Sequence, residues 1–464
     1  MTEVATAIRN GDVSSYAVTK AALDAFAMKD AALNSAIWLE RESALETADA
    51  CDKLRRAGKI LGPLHGVPLA HKDMYYKAGK VSTCGSRIRK DFRPNYTATA
   101  LARLEAAGSV TLGGLNMAEF AQNPTGHNQH FGHCRNPWNR DYCPGGSSSG
   151  SGAAVAARFV FGALGSDTGG SIRLPAAMCG ITGIKGTQTR VSRHGVMPLA
   201  FSADNVGPLC RTARDCAVFL REIAGHDPKD PTSAMEPVPD YEAMLDGDIR
   251  GMPVGIPGNY FFDEIDAEVL AAFNAACKVL EARGAILVPV EIPHMDAVST
   301  YGSIVSRVEG GAIHAEWMRT RPESYAVHLS ARLYGSYGIP ATHYIEALAR
   351  RGPILRAIGK AVFDHVRVFL TPTLRTKVPT LLATDIDAGT PGAEKAFMDL
   401  SINTRPINYM GLPSVSVPCG FDSNGLPIGF QIQGRPFAEG TVLKVADAFQ
   451  RDTDWHSRAP LLPT

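Results

Sequence analysis

Residues 145–173 read GGSSSGSGAAVAARFVFGALGSDTGGSIR, in which two glycine- and serine-rich loops enclose an apolar segment. The small, alanine-rich run from Ser151 to Phe161 predicts a helix that can pack flush against a sheet. Ala163 to Gly165 predicts a short strand that leads into the second loop. This order of loop, helix, strand and loop is typical of an α/β fold.

Strands and helices alternate along the rest of the chain as well. Further strands are expected within 63–70 and at 110–112, 254–256, 286–290, 414–418 and 428–433, and further helices at 99–107, 266–283 and 437–451. No proline- or serine-rich linker or charge block divides the sequence. We therefore expect an α/β fold in a single large domain, with a β-sheet core flanked by helices on both faces.

Two parts of the chain are expected to lie outside that core. Residues 1–60 are predicted to form an N-terminal helical segment packed on the core, because Val13 to about Leu54 has apolar residues at helical spacing. Ser14 and Ser15 are candidate caps of this segment. The main domain, 61–464, is expected to carry a variable helical cover at about 290–395, which has no chemical motif of its own.

Composition and charge exclude several classes of protein. Of the 464 residues 45% are hydrophobic and 20% are charged, and the formal net charge is +1, so we expect no nucleic acid or membrane partner. The most apolar stretch, Ala153 to Leu164, is too short to span a bilayer and contains Arg158. The nine cysteines lack paired CxxC spacing and the first residues lack a secretory pattern, so a cytoplasmic protein is expected.

A lysine far upstream of the two loops can activate their serines. A serine hydroxyl is a poor nucleophile until a base removes its proton, and lysine can be that base only when it is neutral. Lys72 closes the apolar run Val67-Pro68-Leu69-Ala70, so burial can lower its pKa by several units from about 10.4. If Ser147 lies between Lys72 and Ser171, its hydroxyl can pass a proton between them and back to a leaving nitrogen. These parts point to a hydrolase that acts on an acyl–nitrogen bond.

The second loop also offers backbone hydrogen-bond donors. Gly169 and Gly170 have no Cβ, so this turn can aim the N–H groups of Thr168, Gly169, Gly170 and Ser171 into one concavity. An oxyanion formed when Ser171 attacks a carbonyl would be stabilised there by roughly 3 kcal/mol for each well-placed donor. We expect this oxyanion hole to contribute most to the rate.

Taken together, the motifs resemble the amidase signature family, whose hallmark is a Ser–cis-Ser–Lys triad. The matching segments are 66–73, 113–120 (GGLNMAEF), 131–132, 136–138, 145–154, 165–176, 179–186, 206–208, 370–373, 408, 411–420 and 425–436. The resemblance implies a mixed β-sheet, with Ser171 as nucleophile, Ser147 as the cis-peptide relay and Lys72 as general base. It also implies an oxyanion hole on Thr168, Gly169 and Gly170, and no cofactor.

The resemblance also suggests where a substrate binds. In the family the region around 126–132 lines the cleft, which implies substrate contacts at Gly126, His127 and Asn128. The aromatic candidates for the cleft are Tyr75, Tyr76, Trp317, Tyr334 and Tyr337. Of these Tyr75 is the one we assign to substrate binding, although ordinary core packing explains any of the five equally well.

The first loop contains the pattern of a different nucleophile. Gly146 to Gly150 matches the G-x-S-x-G elbow of α/β-hydrolases, which would make Ser148 the nucleophile. That elbow needs a preceding strand, and the stretch 136–144 is polar and rich in turn residues. We expect Ser148 and Ser149 to support the loop instead.

The histidines between the loops and the lysine suggest a metal site. His127, His130 and His133 have a spacing that can converge on one face of a helix. Gly132 and the segment 124–126 interrupt any helix there, and no matching Cys or His pair follows. We expect loop histidines near the mouth of the active site, with no bound metal.

The expected reaction is hydrolysis of an acyl C–N bond through an acyl-enzyme on Ser171. The substrate is expected to be a small-molecule aryl or aliphatic amide, or a carbamate (urethane), and the protein a monomer or homodimer. The alternative is a glutamine-hydrolysing amidotransferase subunit that feeds ammonia to a partner. That branch of the family carries an acidic residue before a Pro-x-Asn motif, where this chain has Ser401 to Asn408 (SINTRPIN). This difference favours the free-standing hydrolase.

Overall fold

The strands of this computed structural model, which describes residues 1–462, form one mixed sheet of 11 strands. They are β1 (Ala36–Leu39), β2 (Pro68–Lys72), β3 (Val110–Leu115), β4 (Gly162–Asp167), β5 (Thr182–Lys185), β6 (Asn205–Cys210), β7 (Pro253–Pro257), β8 (Ile286–Val290), β9 (Val368–Pro372), β10 (Ser414–Phe421) and β11 (Pro427–Gly434). Their order across the sheet is β1-β3-β2-β4-β6-β5-β10-β11-β9-β7-β8.

Helices flank this sheet. They are α1 (Thr2–Asn10), α2 (Ser15–Lys29), α3 (Arg41–Arg56), α4 (Thr99–Ala106), α5 (Ser149–Ala156), α6 (Arg173–Cys179), α7 (Ala213–Ile223), α8 (Ala267–Ala282), α9 (Met295–Thr320), α10 (Val327–Ser336), α11 (Ala341–Ile358), α12 (Ala393–Asp399), α13 (Arg405–Met410) and α14 (Glu439–Arg451). The predicted α/β fold, one domain with a mixed sheet flanked by helices, is confirmed. Within residues 1–462, every helix is too short or too polar to span a bilayer.

One parallel part of the sheet, near the edge formed by β1, determines where the serine loops meet. β2 pairs in parallel with β3 on one side and with β4 on the other, with Pro68 opposite Val110 and Ala70 opposite Ala163. The carboxyl ends of β2 and β4 therefore lie at the same edge of the sheet, where loops of parallel sheets commonly form sites. The chain leaves β2 at Lys72 and β4 at Asp167.

The short helices α5 and α6 pack against this region and are buried along their whole length. Their small residues explain the close packing, since a Cβ on Gly150 would collide with the backbone of Ser35 and Asn116. A Cβ on Gly152 would meet the side chain of Pro175 in α6 at 2.7 Å. The glycine- and alanine-rich sequence thus brings both loops close to the sheet.

The N-terminal segment differs from the predicted continuous helix over residues 13–54. It contains α2 and α3 with strand β1 between them, and β1 pairs with β3 at the edge of the sheet. The Asp30 carboxylate accepts hydrogen bonds from the backbone N–H groups of Ser35 and Ala36, which ends the helical path. This part of the chain therefore belongs to the sheet as well as packing on it.

The predicted cover at about 290–395 is helical only in its first two thirds. α9, α10 and α11 account for that part, whereas β9 at Val368–Pro372 is a core strand between β7 and β11. All five residues of β9 are buried. The short apolar run of β9 has no periodicity that separates a strand from a buried helical segment. This is why the strand is not predicted from the sequence.

Candidate active site

Lys72 is the last residue of β2 and is completely buried. Its Nζ donates hydrogen bonds to the hydroxyl oxygens of Ser147, at 2.6 Å, and Ser166, at 2.9 Å. The contact with Ser147 joins residues from the end of β2 and from the loop before α5, as the sequence predicts. Ser166 lies in β4 and is a second partner that the sequence does not indicate.

Burial lowers the pKa of Lys72 to about 7, although the negative charges of Asp167 and Asp204 oppose the shift. A lysine in this environment is neutral in a large fraction of molecules near neutral pH. The neutral amine has a lone pair that can accept a proton from the Ser147 hydroxyl. A general base needs such a contact and a pKa near neutrality.

Ser147 lies in the loop that leads to α5, and its peptide bond with Gly146 is cis. Its side chain is buried. The neighbouring Ser148 is also buried, and its hydroxyl exchanges hydrogen bonds of 3.3 Å with the backbone C=O and N–H of Ser166. In the described structure no strand directly precedes Ser148, so the geometry of a nucleophile elbow is not formed.

Ser171 lies in the turn between β4 and α6 and lines a cleft beside this sheet edge. It is half-buried, unlike Ser147 and Ser148. Within residues 1–462 its hydroxyl makes no side-chain hydrogen bond, and none joins it to Ser147. Catalytic hydrogen bonds commonly tighten only when substrate is bound, so this open geometry is compatible with a nucleophile.

Asp167 organises the turn around Ser171. Its carboxylate accepts hydrogen bonds from the backbone N–H groups of Gly170, at 2.8 Å, and Ile172, at 3.1 Å. It also pairs with the buried guanidinium of Arg173 and accepts a hydrogen bond from the Asn408 amide. Burial raises the pKa of Asp167, but the Arg173 charge and these hydrogen bonds outweigh it and bring the pKa to about 2.

This network changes the expected set of backbone donors. Because the Gly170 N–H already donates to Asp167, it is engaged within the turn. The N–H groups of Thr168, Gly169 and Ser171 make no such contact with Asp167 and belong to the part of the turn that lines the cleft. Gly170 has a φ of 131°, a conformation that glycine adopts readily, and a Cβ there would also collide with Thr404.

The cleft is lined by residues of the turn around Ser171 and by residues of the surrounding helices and loops. Its lining is Ala121, Gln122, Asn123, Pro124, Thr168, Gly169, Ser171, Leu174, Leu199, Ser306, Arg332, Phe397, Ser401 and Arg405. Two arginines, one from α10 and one from the start of α13, lie in this wall. No carboxylate side chain is among these described lining residues.

The expected substrate contacts at Gly126, His127, Asn128 and Tyr75 lie outside this cleft. The Tyr75 hydroxyl donates to the Gly165 carbonyl at 2.6 Å, inside the core. The Asn128 amide donates to the carbonyls of Gly85 and Met117, so it fixes a loop. His127 lines a small adjoining cavity, which shares Asn123 and Phe397 with the cleft.

The other aromatic candidates are also placed elsewhere. Trp317 stacks on Phe120, with ring centroids 5.3 Å apart. Tyr76 packs against Phe92, and Tyr334 and Tyr337 are exposed at 52% and 51%. These side chains therefore serve core packing or face solvent, and Phe397 is the aromatic residue that the cleft contains.

The histidine run places His127, His133 and Asp385 close together, with one candidate ligand atom of each within 4.8 Å of the others. The hydrogen bonds argue against a cation there. His133 Nδ1 accepts the Asn128 N–H at 3.1 Å, so the neutral ring carries its proton on Nε2 and has no free lone pair. His130 is paired with Glu119 instead.

The sequence missed the two arginines of the cleft and the second partner of Lys72. Arg405 lies within the segment SINTRPIN, which the sequence analysis compares with the amidotransferase branch. Its positive charge could therefore have been noticed from the sequence. Arg332 belongs to a helix without a motif. Ser166 occupies a strand position whose neighbours could only be known from the sheet register.

Known proteins of one family are similar to nearly the whole of this chain. A family model described as Amidase matches residues 17–443. The chain belongs to the amidase signature family. A curated relative in this family, a glutamyl-tRNA(Gln) amidotransferase subunit of Chloroflexus aggregans, is 42% identical over 479 residues, covering 98% of this chain and 96% of the relative.

Solved structures of the family are similar to this chain over nearly its whole length. One, from a vestigial protein complex that reveals the origins of an s-triazine catabolic enzyme, has a TM-score of 0.91 and 31% identity, covering 97% of this chain and 98% of that one. A bacterial aryl acylamidase has a TM-score of 0.87 and 27% identity, covering 97% and 96%. These relatives include both hydrolases and an amidotransferase subunit, so they identify the chemistry of amide cleavage more closely than the substrate.

Proposed function

We propose that this chain hydrolyses an acyl C–N bond through an acyl-enzyme on Ser171, with Ser147 as relay and Lys72 as general base. The observation that carries the proposal is the 2.6 Å hydrogen bond between buried Lys72 and Ser147, together with a cleft lined by Ser171. It joins an amine with a lowered pKa to a serine hydroxyl, and Ser171 is a second, half-buried serine in the cleft wall. Such an arrangement supplies a nucleophile, a proton path and a base without histidine.

In the first step the Ser171 oxygen forms a bond to the carbonyl carbon of the amide, and its proton passes to Ser147. Ser147 in turn gives its own proton to neutral Lys72. The C–N bond then breaks as the proton returns by the same path to the leaving nitrogen. Water hydrolyses the remaining ester in the same sequence, which releases the carboxylic acid and restores Ser171.

The backbone of the turn supports this reaction by stabilising the oxyanion. In this proposal the N–H groups of Thr168, Gly169 and Ser171 are the donors, and Gly170 acts through its conformation and its hydrogen bond to Asp167. Loss of one oxyanion-hole donor costs about 10²–10³-fold in kcat in other serine hydrolases. The Asp167–Arg173 pair would fix the direction of these donors.

Purified protein tests this function directly. We expect release of ammonia or amine from a panel of primary amides, anilides and aryl carbamates, and none from the Ser171→Ala variant. Ser148→Ala is the matched control, because Ser148 is a buried serine of the first loop whose hydroxyl donates to the backbone carbonyl of Ser166. Turnover by Ser171→Ala at the wild-type rate would refute the assignment.

A second candidate function is hydrolysis of glutamine within a larger amidotransferase. The names and identities of the curated relatives, at 42% and 41%, favour this alternative over an aryl amidase or carbamate hydrolase. It uses the same triad, but the ammonia would pass to a partner protein. The expectation of a monomer or homodimer would then be replaced by a complex with other proteins.

Purification of the native chain from its own cells separates the two candidates. A stable complex, with glutamine hydrolysis that depends on the partner, would favour the amidotransferase. Full amidase activity of the isolated chain, with glutamine a poor substrate, would favour the free-standing hydrolase. Both outcomes keep Ser171 as nucleophile.

A further inference from the structure

The cleft beside Ser171 has a positively charged wall that the proposed reaction does not use. Arg332 and Arg405 both line it, and both are half-buried. Catalysis by Ser171, Ser147 and Lys72 needs no guanidinium. The two arginines therefore bear on what the cleft binds.

Arg405 is held next to the turn that contains Ser171. The preceding residue, Thr404, donates from its hydroxyl to the carbonyl of Gly169 at 2.6 Å. The stem of Arg405 lies over the same glycine, since a Cβ on Gly169 would be 3.8 Å from Arg405 Cγ. Gly169 precedes Ser171 by two residues in the turn, so the guanidinium stem starts close to the reacting serine.

Arg332 approaches the cleft from the cover. It belongs to α10, and its Nη1 donates to the carbonyl of Gln122 at 3.3 Å. A third arginine, Arg307 of α9, lines an adjoining cavity together with Arg405. The Nε of Arg307 has no hydrogen-bond partner within the described residues.

These positive charges have no protein counter-ion in residues 1–462. Arg405 donates to the Ser401 hydroxyl and Arg332 to a backbone carbonyl, and neither forms an ion pair with a carboxylate. Burial, together with the charges of Arg405 and Arg307, lowers the pKa of Arg332 to about 9. Burial also lowers the pKa of Arg405. Two like charges close together in a partly desolvated cleft repel each other, and a bound anion would relieve that repulsion.

We propose that the amide substrate carries a carboxylate on its acyl part, which binds between Arg332 and Arg405, and carries no ammonium group. Arginine binds carboxylates through two parallel N–H···O bonds, which fixes orientation as well as charge. The cleft lining includes no aspartate or glutamate that could pair with an ammonium group. The inference rests on the proposed function and names its substrate class, a monoamide of a dicarboxylic acid.

The size of the cleft is compatible with such a substrate. Its volume is about 60 Å³, whereas one enclosed water needs about 10–15 Å³ by the same measure. A compact acyl group fits this space better than a fused aromatic one. Leu174, Leu199 and Phe397 supply apolar contacts for the methylene groups.

Matched pairs of amides test the proposal. Malonamate, succinamate and glutaramate are each compared with the neutral amide that has a methyl group in place of the carboxylate, and with glutamine. We expect kcat/KM for at least one monoamide to exceed that of its neutral partner and of glutamine by about 100-fold, the range for one desolvated charge-assisted pair. Equal rates for the charged and neutral members of every pair, or a preference for glutamine, would overturn the inference.

Two variants test the assigned residues. Arg332→Gln and Arg405→Gln should each lower kcat/KM for the preferred monoamide by about 10–100-fold more than kcat/KM for the neutral amide, chiefly through KM. Arg350→Gln is the matched control, because Arg350 lies on α11 with a side chain exposed at 62%. Arg332→Lys should recover part of the affinity, since it restores charge without the bidentate geometry.

Binding to the inactive Ser171→Ala variant separates failure of this inference from failure of the proposed function. Calorimetry should show succinamate or its homologues binding at least about tenfold more tightly than butyramide, and Arg405→Gln should remove that difference. Tight anion binding without turnover by the wild type would refute the proposed hydrolysis but support the anion site. Turnover with no charge preference would refute the anion site alone.

Discussion

Two buried lysines end internal strands of this sheet, and only one of them contacts the serines that we propose to be catalytic. Lys72 ends β2 and Lys185 ends β5, and both are completely buried. Burial lowers the pKa of each to about 7. Lys72 donates to the hydroxyls of Ser147 and Ser166, whereas Lys185 donates to the backbone carbonyl of Gly186 at 2.8 Å.

The comparison shows that a lowered pKa does not by itself identify a catalytic base. The charges of Arg173, Asp167 and Glu439 also act on the pKa of Lys185, so it belongs to the ionic network under the turn. Lys72 differs because it donates hydrogen bonds to two serine hydroxyls, those of Ser147 and Ser166. Geometry, and not titration, distinguishes the two sites.

The largest expected effect is on activity, when each lysine is replaced. Lys72→Met should lower kcat/KM by about 10²–10⁴-fold, the usual loss when a general base is removed. Lys185→Met should change it by less than about threefold, because Lys185 makes no contact with the serines. Steady-state kinetics on one amide measures the loss in each variant. Equal losses would show that Lys72 and Lys185 do not differ in their contribution to catalysis.

The two hydroxyl partners of Lys72 should also differ. Ser147→Ala is expected to cost nearly as much as Lys72→Met, and the double variant no more, because relay groups act as a unit. Ser166→Ala removes one hydrogen bond to Lys72 and should cost about 2–10-fold. Additive losses in the Lys72/Ser147 double variant would show that the two residues work separately.

Activity should depend on pH with the sign set by Lys72. The neutral amine is the active form, so kcat/KM should fall by up to about tenfold per pH unit below its pKa and level off above it. The midpoint is expected near 7, where burial places the pKa of Lys72. Lys185→Met should keep this profile. A flat profile between about pH 5 and 8 would exclude an ionising base of this kind.

The smallest expected effect is on the pH dependence of stability. Burial places the pKa of Lys185 at about 7 in the folded protein, against about 10.4 in the unfolded chain. The unfolded state therefore binds more protons between these values, and the free energy of unfolding rises with pH by up to about 1.4 kcal/mol per unit for this lysine.

Urea unfolding from about pH 7.5 to about pH 9.5 measures that slope. Lys185→Met should reduce it by up to about 1.4 kcal/mol per pH unit. Lys53→Met is the control, since the Lys53 side chain is exposed at 70%, and its slope should match that of the wild type. An unchanged slope in Lys185→Met would mean that Lys185 keeps its proton in the folded state.

The sequence indicates the proposed catalytic centre better than the cleft around it. Lys72, Ser147 and Ser171 lie in local motifs whose glycine turns and apolar runs are visible along the chain, and the α/β fold follows from the same alternation. The cleft wall is different, because Arg332 and Phe397 come from helices of the cover and meet the loops only in three dimensions. The spacing of residues along the chain could not predict these contacts between distant segments.

Local chemistry also explains where the predictions failed. The Asp30 carboxylate turns the chain from α2 into β1, a contact that interrupts an otherwise helical pattern. Tyr75 and Asn128 have side chains that suit a binding site, but their N–H and O–H groups donate to backbone carbonyls inside the protein. Residue type alone cannot distinguish a polar group that binds substrate from one that fixes a loop.

The measurement that tests the central claim most directly is the pH dependence of labelling by a fluorophosphonate, with peptide mapping of the adduct. We predict a single adduct on Ser171, a labelling rate that rises with pH to a plateau above about 7, and near loss of labelling in Lys72→Met but not in Lys185→Met. An adduct on Ser148, or labelling of Lys72→Met at the wild-type rate, would contradict this prediction.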